Sequence, residues 1–240
     1  MTARDHAMLR LAVDLAILTV RNNALHVLVI TRGKEPFLGS LALPGGFLRA
    51  GEDLRAAAVR ELREETGLDG RDMHLEQLAT YGRPDRDPRG RVVSVAYLTI
   101  APDLPAPEAG SDAASALWVP ISKAQSRLAF DHDDILRDAV ERARTRLEFT
   151  TLATAFCGPT FTVGDLRKVY EVVWDQPLDP RNFSRKVLNT AGFIEATGQK
   201  RIPQLGRPAA LYRRGDQQTL NPPILRSNGG PELEAISVDR

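Results

Sequence analysis

Six residues between Gly46 and Glu65 carry the chemistry that is easiest to read from this chain. Glu52 stands six residues after Gly46, and Arg60, Glu61, Glu64 and Glu65 follow at spacings of one helical face. On a helix, side chains three and four positions apart are neighbours, so Glu61 and the Glu64/Glu65 pair project to one side and repel unless a cation stands between them. Mg²⁺ (or Mn²⁺) suits that arrangement, because a hard divalent ion takes a few carboxylates together with phosphate oxygens. Glu61, Glu64, Glu65 and Gly46 are therefore the candidate metal set, with the glycine letting backbone approach the ion. Such an ion neutralises a diphosphate and helps a water attack phosphorus. Glu52, Arg60 and Glu61 are the candidate catalytic residues, with Arg60 orienting either carboxylate through charge-assisted hydrogen bonds.

The elements that must position these residues follow from pattern. Apolar runs Leu11–Val20 and Leu25–Thr31, joined by Arg21-Asn22-Asn23, read as a hairpin. Pro44-Gly45-Gly46 breaks the pattern before a helix over Glu52–Thr66, and Gly67 stands where a C-cap belongs. Strands are expected at His74–Thr80, Val92–Ile100 and Ala116–Val119, and a second helix at Asp133–Arg146. Mixed strands and helices over residues 1–150 point to an α/β (α+β) domain.

A second module is expected over residues 151–214. Thr162 and Asp165 have capping-box spacing, and Leu166, Val169, Tyr170 and Val173 recur at helical period. Asp179 suits an N-cap and Pro180 the first turn of a further helix reaching Gly192, with Phe183, Val187 and Leu188 facing inward. Two short strands, Phe193–Thr197 and Ala209–Arg213, enclose a basic loop. Two helices, a tight turn and a basic hairpin describe a winged helix-turn-helix. Its second helix presents Arg181, Asn182, Arg185 and Lys186, types that read guanine and adenine edges. Lys200, Arg201 and Arg207 on the wing suit phosphates or the minor groove of double-stranded DNA.

Charge supports the division. Residues 1–150 carry 20 Lys and Arg against 22 Asp and Glu, residues 151–214 carry 10 against 5, and residues 215–240 carry 2 against 4. A basic stretch behind an acidic one fits a polyanion partner. The Gln-, Asn-, Pro- and Gly-rich segment 215–240 reads as a disordered tail. No apolar run approaches a membrane span and no charged-then-apolar leader opens the chain, so a cytoplasmic location without membrane contact is expected. One cysteine, Cys157, excludes an internal disulfide and reads as a small core residue.

The segment Gly46–Leu68 matches the Nudix box, G-x5-E-x7-R-E-U-x-E-E-x-G-U with U aliphatic, at every defined position. The resemblance implies a Nudix fold, a mixed sheet between helices, with a divalent-metal site for nucleoside diphosphates linked to another group. With the second module, and with Leu128-Ala129-Phe130-Asp131-His132, Leu178–Lys186 and Gly206-Arg207-Pro208-Ala209, the chain resembles the Nudix-related transcriptional regulators of the NrtR family. That resemblance implies a homodimeric repressor of NAD-biosynthesis genes, seated on a palindromic operator and released by ADP-ribose. Arg49, Arg83 and Arg86 are the candidate ligand contacts, since guanidinium groups match diphosphate geometry. The box is intact, so Mg²⁺-dependent ADP-ribose pyrophosphatase activity is the alternative, alone or beside repression. Related ADP-ribose-cleaving enzymes carry their base outside the box, which nominates Glu108 and Asp112 on the loop Pro102–Ser115.

Overall fold

The computed structural model describes residues 8–67, 73–100, 102, 113–202 and 207–226. Strands β1 (Arg10–Arg21) and β2 (Ala24–Arg32) pair antiparallel across a turn in which Asn22 and Asn23 take φ of 48° and 61°. Asparagine tolerates that left-handed backbone, which matches the twist of a two-residue hairpin. Beyond the short β3 (Leu41–Ala42) and β4 (Gly45–Phe47), helix α1 spans Leu54–Thr66, and β5 (His74–Tyr81), β6 (Val92–Ile100) and β7 (Ala113–Pro120) complete the sheet. The path through it is β3-β2-β1-β6-β5, with β4 on β1 and β7 on β2. β1 and β6 run parallel from Arg10↔Val92 to Leu18↔Ile100 while the other pairs are antiparallel, so the sheet is mixed.

Helices cover both faces of that sheet, which is why β1 reads as one continuous apolar run rather than an alternating one. Val13, Leu15 and Ile17 pack with Ala57, Ala58 and Leu62 of α1. Ala16 and Leu18 join a second cluster with Ile135, Leu136, Ala139 and Val140 of α3 (His132–Phe149), which follows the short α2 (Ile121–Ala124). α1 begins where Asp53 accepts the Ala56 N–H and ends at Gly67, whose φ of 69° favours glycine.

The second cluster does not stop at α3. It continues into α4 (Val163–Trp174), α5 (Pro180–Asn189) and the hairpin of β8 (Ile194–Arg201) and β9 (Ala209–Arg214), through Tyr170, Phe183, Val187 and Phe193. The buried Tyr170 hydroxyl donates to the Leu147 carbonyl at 3.0 Å and the Trp174 indole N–H to the Arg144 carbonyl at 3.1 Å. α3 is thus shared between the sheet and the C-terminal helices. The Thr162/Asp165 capping box and the Asp179 cap before Pro180 form as the spacing predicts.

Three expectations are corrected. α5 ends at Asn189, and Leu188 is 53% exposed rather than inward. The buried residues Phe183 and Val187 define one stripe, and the next position is rotated by about 100° from it. Residues 215–226 are packed rather than disordered. Leu220 and Ile224 are buried, and their N–H groups donate to Phe149 and Glu148 carbonyls at 2.8 and 2.9 Å. Residues 227–240 lie outside the described residues. Cys157 packs against the core, and burial pushes its thiol up to about 12.

The start of α3 is tied to the sheet by buried polar groups. Arg86, 6% exposed, donates to both oxygens of Asp131 at 2.7 and 2.8 Å and to Asp14 of β1 at 3.1 Å. Asp14 also accepts from the Ser94 hydroxyl at 2.6 Å. His132 Nδ1 accepts the Leu43 N–H at 2.9 Å, which leaves the proton on Nε2, 3.5 Å from Asp14. Removing one partner from a buried pair strands the other charge, so Arg86→Met is expected to cost about 3–5 kcal/mol in urea unfolding, and a loss below about 1 kcal/mol would contradict this role. Burial holds the His132 pKa below its ordinary value. An unfolded imidazole protonates near pH ~6.5. Stability from the neutral ring is therefore full above that pH and declines as pH falls from there toward the folded pKa. Unfolding free energies measured between pH 7 and 5 should fall with a shallower slope in His132→Asn than in the wild type; equal slopes would reject the assignment.

Candidate functional site

α1 and β4 bring the acidic residues around one guanidinium. Arg60 Nε and Nη2 donate to the two oxygens of Glu52 at 2.7 and 2.8 Å, and Nη1 donates to Glu61 and, at 3.2 Å, to Glu64. Nη2 also reaches the Phe47 carbonyl at 3.2 Å, fastening α1 to β4. Arg49 donates from Nη2 to both oxygens of Glu64 at 3.1 and 2.9 Å, and Glu65 accepts the Gly45 N–H at 2.8 Å. The like-charge repulsion expected along this helix is offset by Arg60 and Arg49.

The carboxylates differ in character. Hydrogen bonding to Arg60 holds Glu52 down to about 2, so it stays anionic across the working range. Glu61 is 8% exposed, and burial raises its pKa against the opposing pull of Arg60. Glycine is required opposite it, because a Cβ on Gly46 would collide with the Glu61 carboxylate, and one on Gly45 with the Val13 carbonyl. The structure thus brings Gly46, Glu52, Arg60, Glu61, Glu64 and Glu65 to one place. Among the described residues no group of three or more His, Cys, Asp or Glu side chains is gathered into a cage for a metal.

Gly46, Arg60, Glu61, Glu64 and Glu65 form one wall of a cleft of about 410 Å³, also lined by Asp14, Arg32, Arg49, Arg86, Arg89, Phe130 and His132, while Glu52 lies behind Arg60 and outside the lining. Of the three arginines expected to meet a ligand, Arg49 stands at this cleft, engaged with Glu64. Arg86 lines it too, but its guanidinium is consumed by Asp14 and Asp131, which corrects the expectation of a free diphosphate contact. Arg83 is 3.6 Å from Asp134 and is not part of the lining. Glu108 and Asp112 lie outside the described residues. Asp14, Arg32, Asp131 and His132 were not singled out as site residues. Only Asp131 and His132 carried a signal, being inside the run Leu128–His132.

The C-terminal module presents a second surface. On α5, Arg181, Asn182, Arg185 and Lys186 are all exposed while Phe183 and Val187 are buried. Asn182 accepts from Arg185 Nη2 at 3.0 Å, so the two polar groups are held side by side. Lys200, Arg201 and Arg207 are exposed on the hairpin, and Arg201 pairs with Asp165 at the start of α4 at 2.8 Å. The two modules share a core, and the helix that opens beside the cleft supports the base of this basic face.

Comparison with known proteins follows the same division. The family described as NUDIX domain matches residues 8–139, and the NrtR DNA-binding winged helix domain matches residues 154–214. The ADPR responsive transcriptional repressor NtrR of Acinetobacter baylyi is 35% identical over 212 residues, 87% of this chain and 83% of that protein. The crystal structure of Shewanella oneidensis NrtR complexed with a 27mer DNA superposes with a TM-score of 0.73 at 31% identity, covering 85% of this chain and 93% of that one. The Nudix domain of Shewanella oneidensis NrtR complexed with ADP ribose superposes with a TM-score of 0.53 at 32% identity, covering 59% and 93%. A Nudix fold followed by a winged helix, matched across most of its length to these proteins, places the chain in the NrtR family of Nudix-related transcriptional regulators.

Proposed function

We propose that this chain is a cytoplasmic, homodimeric repressor of NAD-metabolism genes that grips a palindromic operator and lets go when ADP-ribose occupies the cleft beside α1. The division of labour is residues 1–150 for the ligand and 151–214 for DNA. One observation carries the reading: α5 turns Arg181, Asn182, Arg185 and Lys186 to solvent, and the residues it buries are Phe183 and Val187. The groove-facing end of the helix, opened by Asp179 and Pro180, supplies side chains that pair bidentately with guanine and adenine. Lys200, Arg201 and Arg207 serve the backbone. Two copies related by a dyad place their α5 helices about 34–36 Å apart, one turn of DNA. Arg49 is the ligand arginine retained from the sequence, and no helix of the described residues is long and apolar enough to cross a membrane.

The same cleft favours a second activity, Mg²⁺-dependent cleavage of ADP-ribose. The donor chemistry suits a hard divalent cation in kind, since Glu61, Glu64 and Glu65 are all oxygen donors that line the cleft; they are not drawn into a cage, Glu64 being held by Arg49 and Arg60 and Glu65 by the Gly45 N–H. Such an ion, Mg²⁺ or Mn²⁺, neutralises phosphate charge and activates a water when bound. Of the chain's own residues, Arg60 fixes Glu52 and Glu61 against β4, and Glu52 remains anionic to balance Arg60.

DNA binding is tested by anisotropy with operator DNA from the gene's upstream region. Arg181→Ala with Arg185→Ala should weaken binding by about 2–6 kcal/mol in sum, and wild-type affinity should fall about 10³-fold or more between 50 and 200 mM salt. Unchanged affinity in the double variant, or a flat salt response, would reject the repressor. Cleavage is tested by AMP release with Mg²⁺: Glu65→Gln should abolish it, and a persisting rate would remove the carboxylates from the reaction.

A further inference from the structure

β9 ends at Arg214, and the match to the winged helix domain ends with it. Residues 215–226 then run as a strap from the turn behind α5 back to the second half of α3. The Gly215 N–H donates to the Phe193 carbonyl at 2.9 Å and the Gln217 N–H to the Gly192 carbonyl at 3.1 Å. The approach is close enough to need glycine on both sides. A Cβ on Gly215 would collide with the Gly192 carbonyl, and one on Gly192, whose φ is 66°, with the Asp216 and Gln217 side chains. From there the strap crosses to α3. The buried Thr151 donates its hydroxyl to the Gln217 carbonyl at 3.0 Å and its N–H to the Gln218 carbonyl at 3.2 Å. Leu220 and Ile224 seat their side chains in the shared core. Arg226 closes the strap, donating from Nη2 to Glu141 at 2.8 Å, with Nε 3.7 Å from Glu148.

The two ends of α5 are thus held in different ways. Near its start, Phe183 rests on Tyr170 of α4, and α4 rests on α3 through the Tyr170 and Trp174 hydrogen bonds. A module held along one line of contact can rock about that line. The strap adds a second attachment behind the other end of α5 and returns it to the same helix, α3. No strap residue lines the cleft, so its action is on placement. Placement matters most when two modules must dock together. On a palindrome, the separation and angle of the two α5 helices decide whether both enter the groove at once. Engaging the second half-site is worth a factor of about 10²–10⁴, and that gain is lost when geometry forbids simultaneous docking.

We propose that the strap, anchored by Leu220, Ile224 and Arg226, is the positioning element that fixes the winged helix against α3 at the angle a two-half-site operator requires. The proposal rests on the reading of this chain as a dimeric operator-binding repressor. Its residues act on α5 through the Gly192–Phe193 turn rather than by reading bases.

Anisotropy at fixed salt with two duplexes tests it, one carrying the full palindromic upstream site and one a single half-site. The wild type should prefer the full site by about 10² or more. Ile224→Asn, which sets an amide into the core, should leave half-site affinity within about twofold and cut that preference by about tenfold or more. Arg226→Ala, which spares the core, should cut it in the same direction by less, and Ile224→Val should restore it. Thermal unfolding identifies the variants that keep the fold. An unchanged preference in every folded variant overturns the proposal while leaving the repressor standing. Equal weakening on both duplexes also overturns it, because the strap then only supports the winged helix itself. A wild type that binds neither duplex, or binds the two equally, rejects the dimeric repressor and the role of the strap with it.

Discussion

Arg86 sits where two parts of the molecule have to agree. Its guanidinium is buried between Asp14, in the middle of the sheet, and Asp131, one residue before α3. Two carboxylates with one guanidinium leave a buried excess of negative charge, which the Ser94 hydroxyl and the Nε2 side of His132 stabilise by donating toward Asp14. Such a cluster tolerates little displacement, because each lost partner exposes a desolvated charge. The N-terminus of α3 is therefore fixed relative to β1, and everything that packs on α3 inherits that placement.

What packs on α3 is the C-terminal module. Tyr170 and Trp174 of α4 hydrogen bond to carbonyls of α3, and Phe183 of α5 stacks edge-on against Tyr170 with centroids 5.1 Å apart. A continuous chain of buried groups thus joins the cleft wall to the base of the basic helix. On the proposed reading, ligand and DNA are alternative claims on the geometry of this helix. Linkage then requires ADP-ribose to bind the released arrangement more tightly than the DNA-bound one, since equal affinity would shift nothing. A shift from nearly all bound to nearly all free needs a preference of about 10⁴.

Local spacing carried much of this into view from the sequence. The Gly46–Glu65 pattern, the Asp179-Pro180 cap and the Thr162/Asp165 capping box are each defined within one or two helical turns, and the structure forms them where the residues stand. Arg86 shows the opposite case. A surface arginine that meets a diphosphate and a buried arginine that meets two aspartates have the same letter, and its partners lie 72 and 45 residues away. Helical periodicity locates the buried stripe of α5 but not its edges, which is why Leu188 does not follow from it, and the burial of Leu220 and Ile224, two apolar residues in a polar context, depends on contacts with α3 that no local pattern encodes.

The coupling between cleft and DNA face is tested most directly by fluorescence anisotropy of labelled upstream DNA bound to the protein, with ADP-ribose titrated into the preformed complex at fixed salt. Saturable release of the DNA is the predicted result. Tight DNA binding that ADP-ribose leaves unchanged at concentrations that occupy the cleft would contradict it.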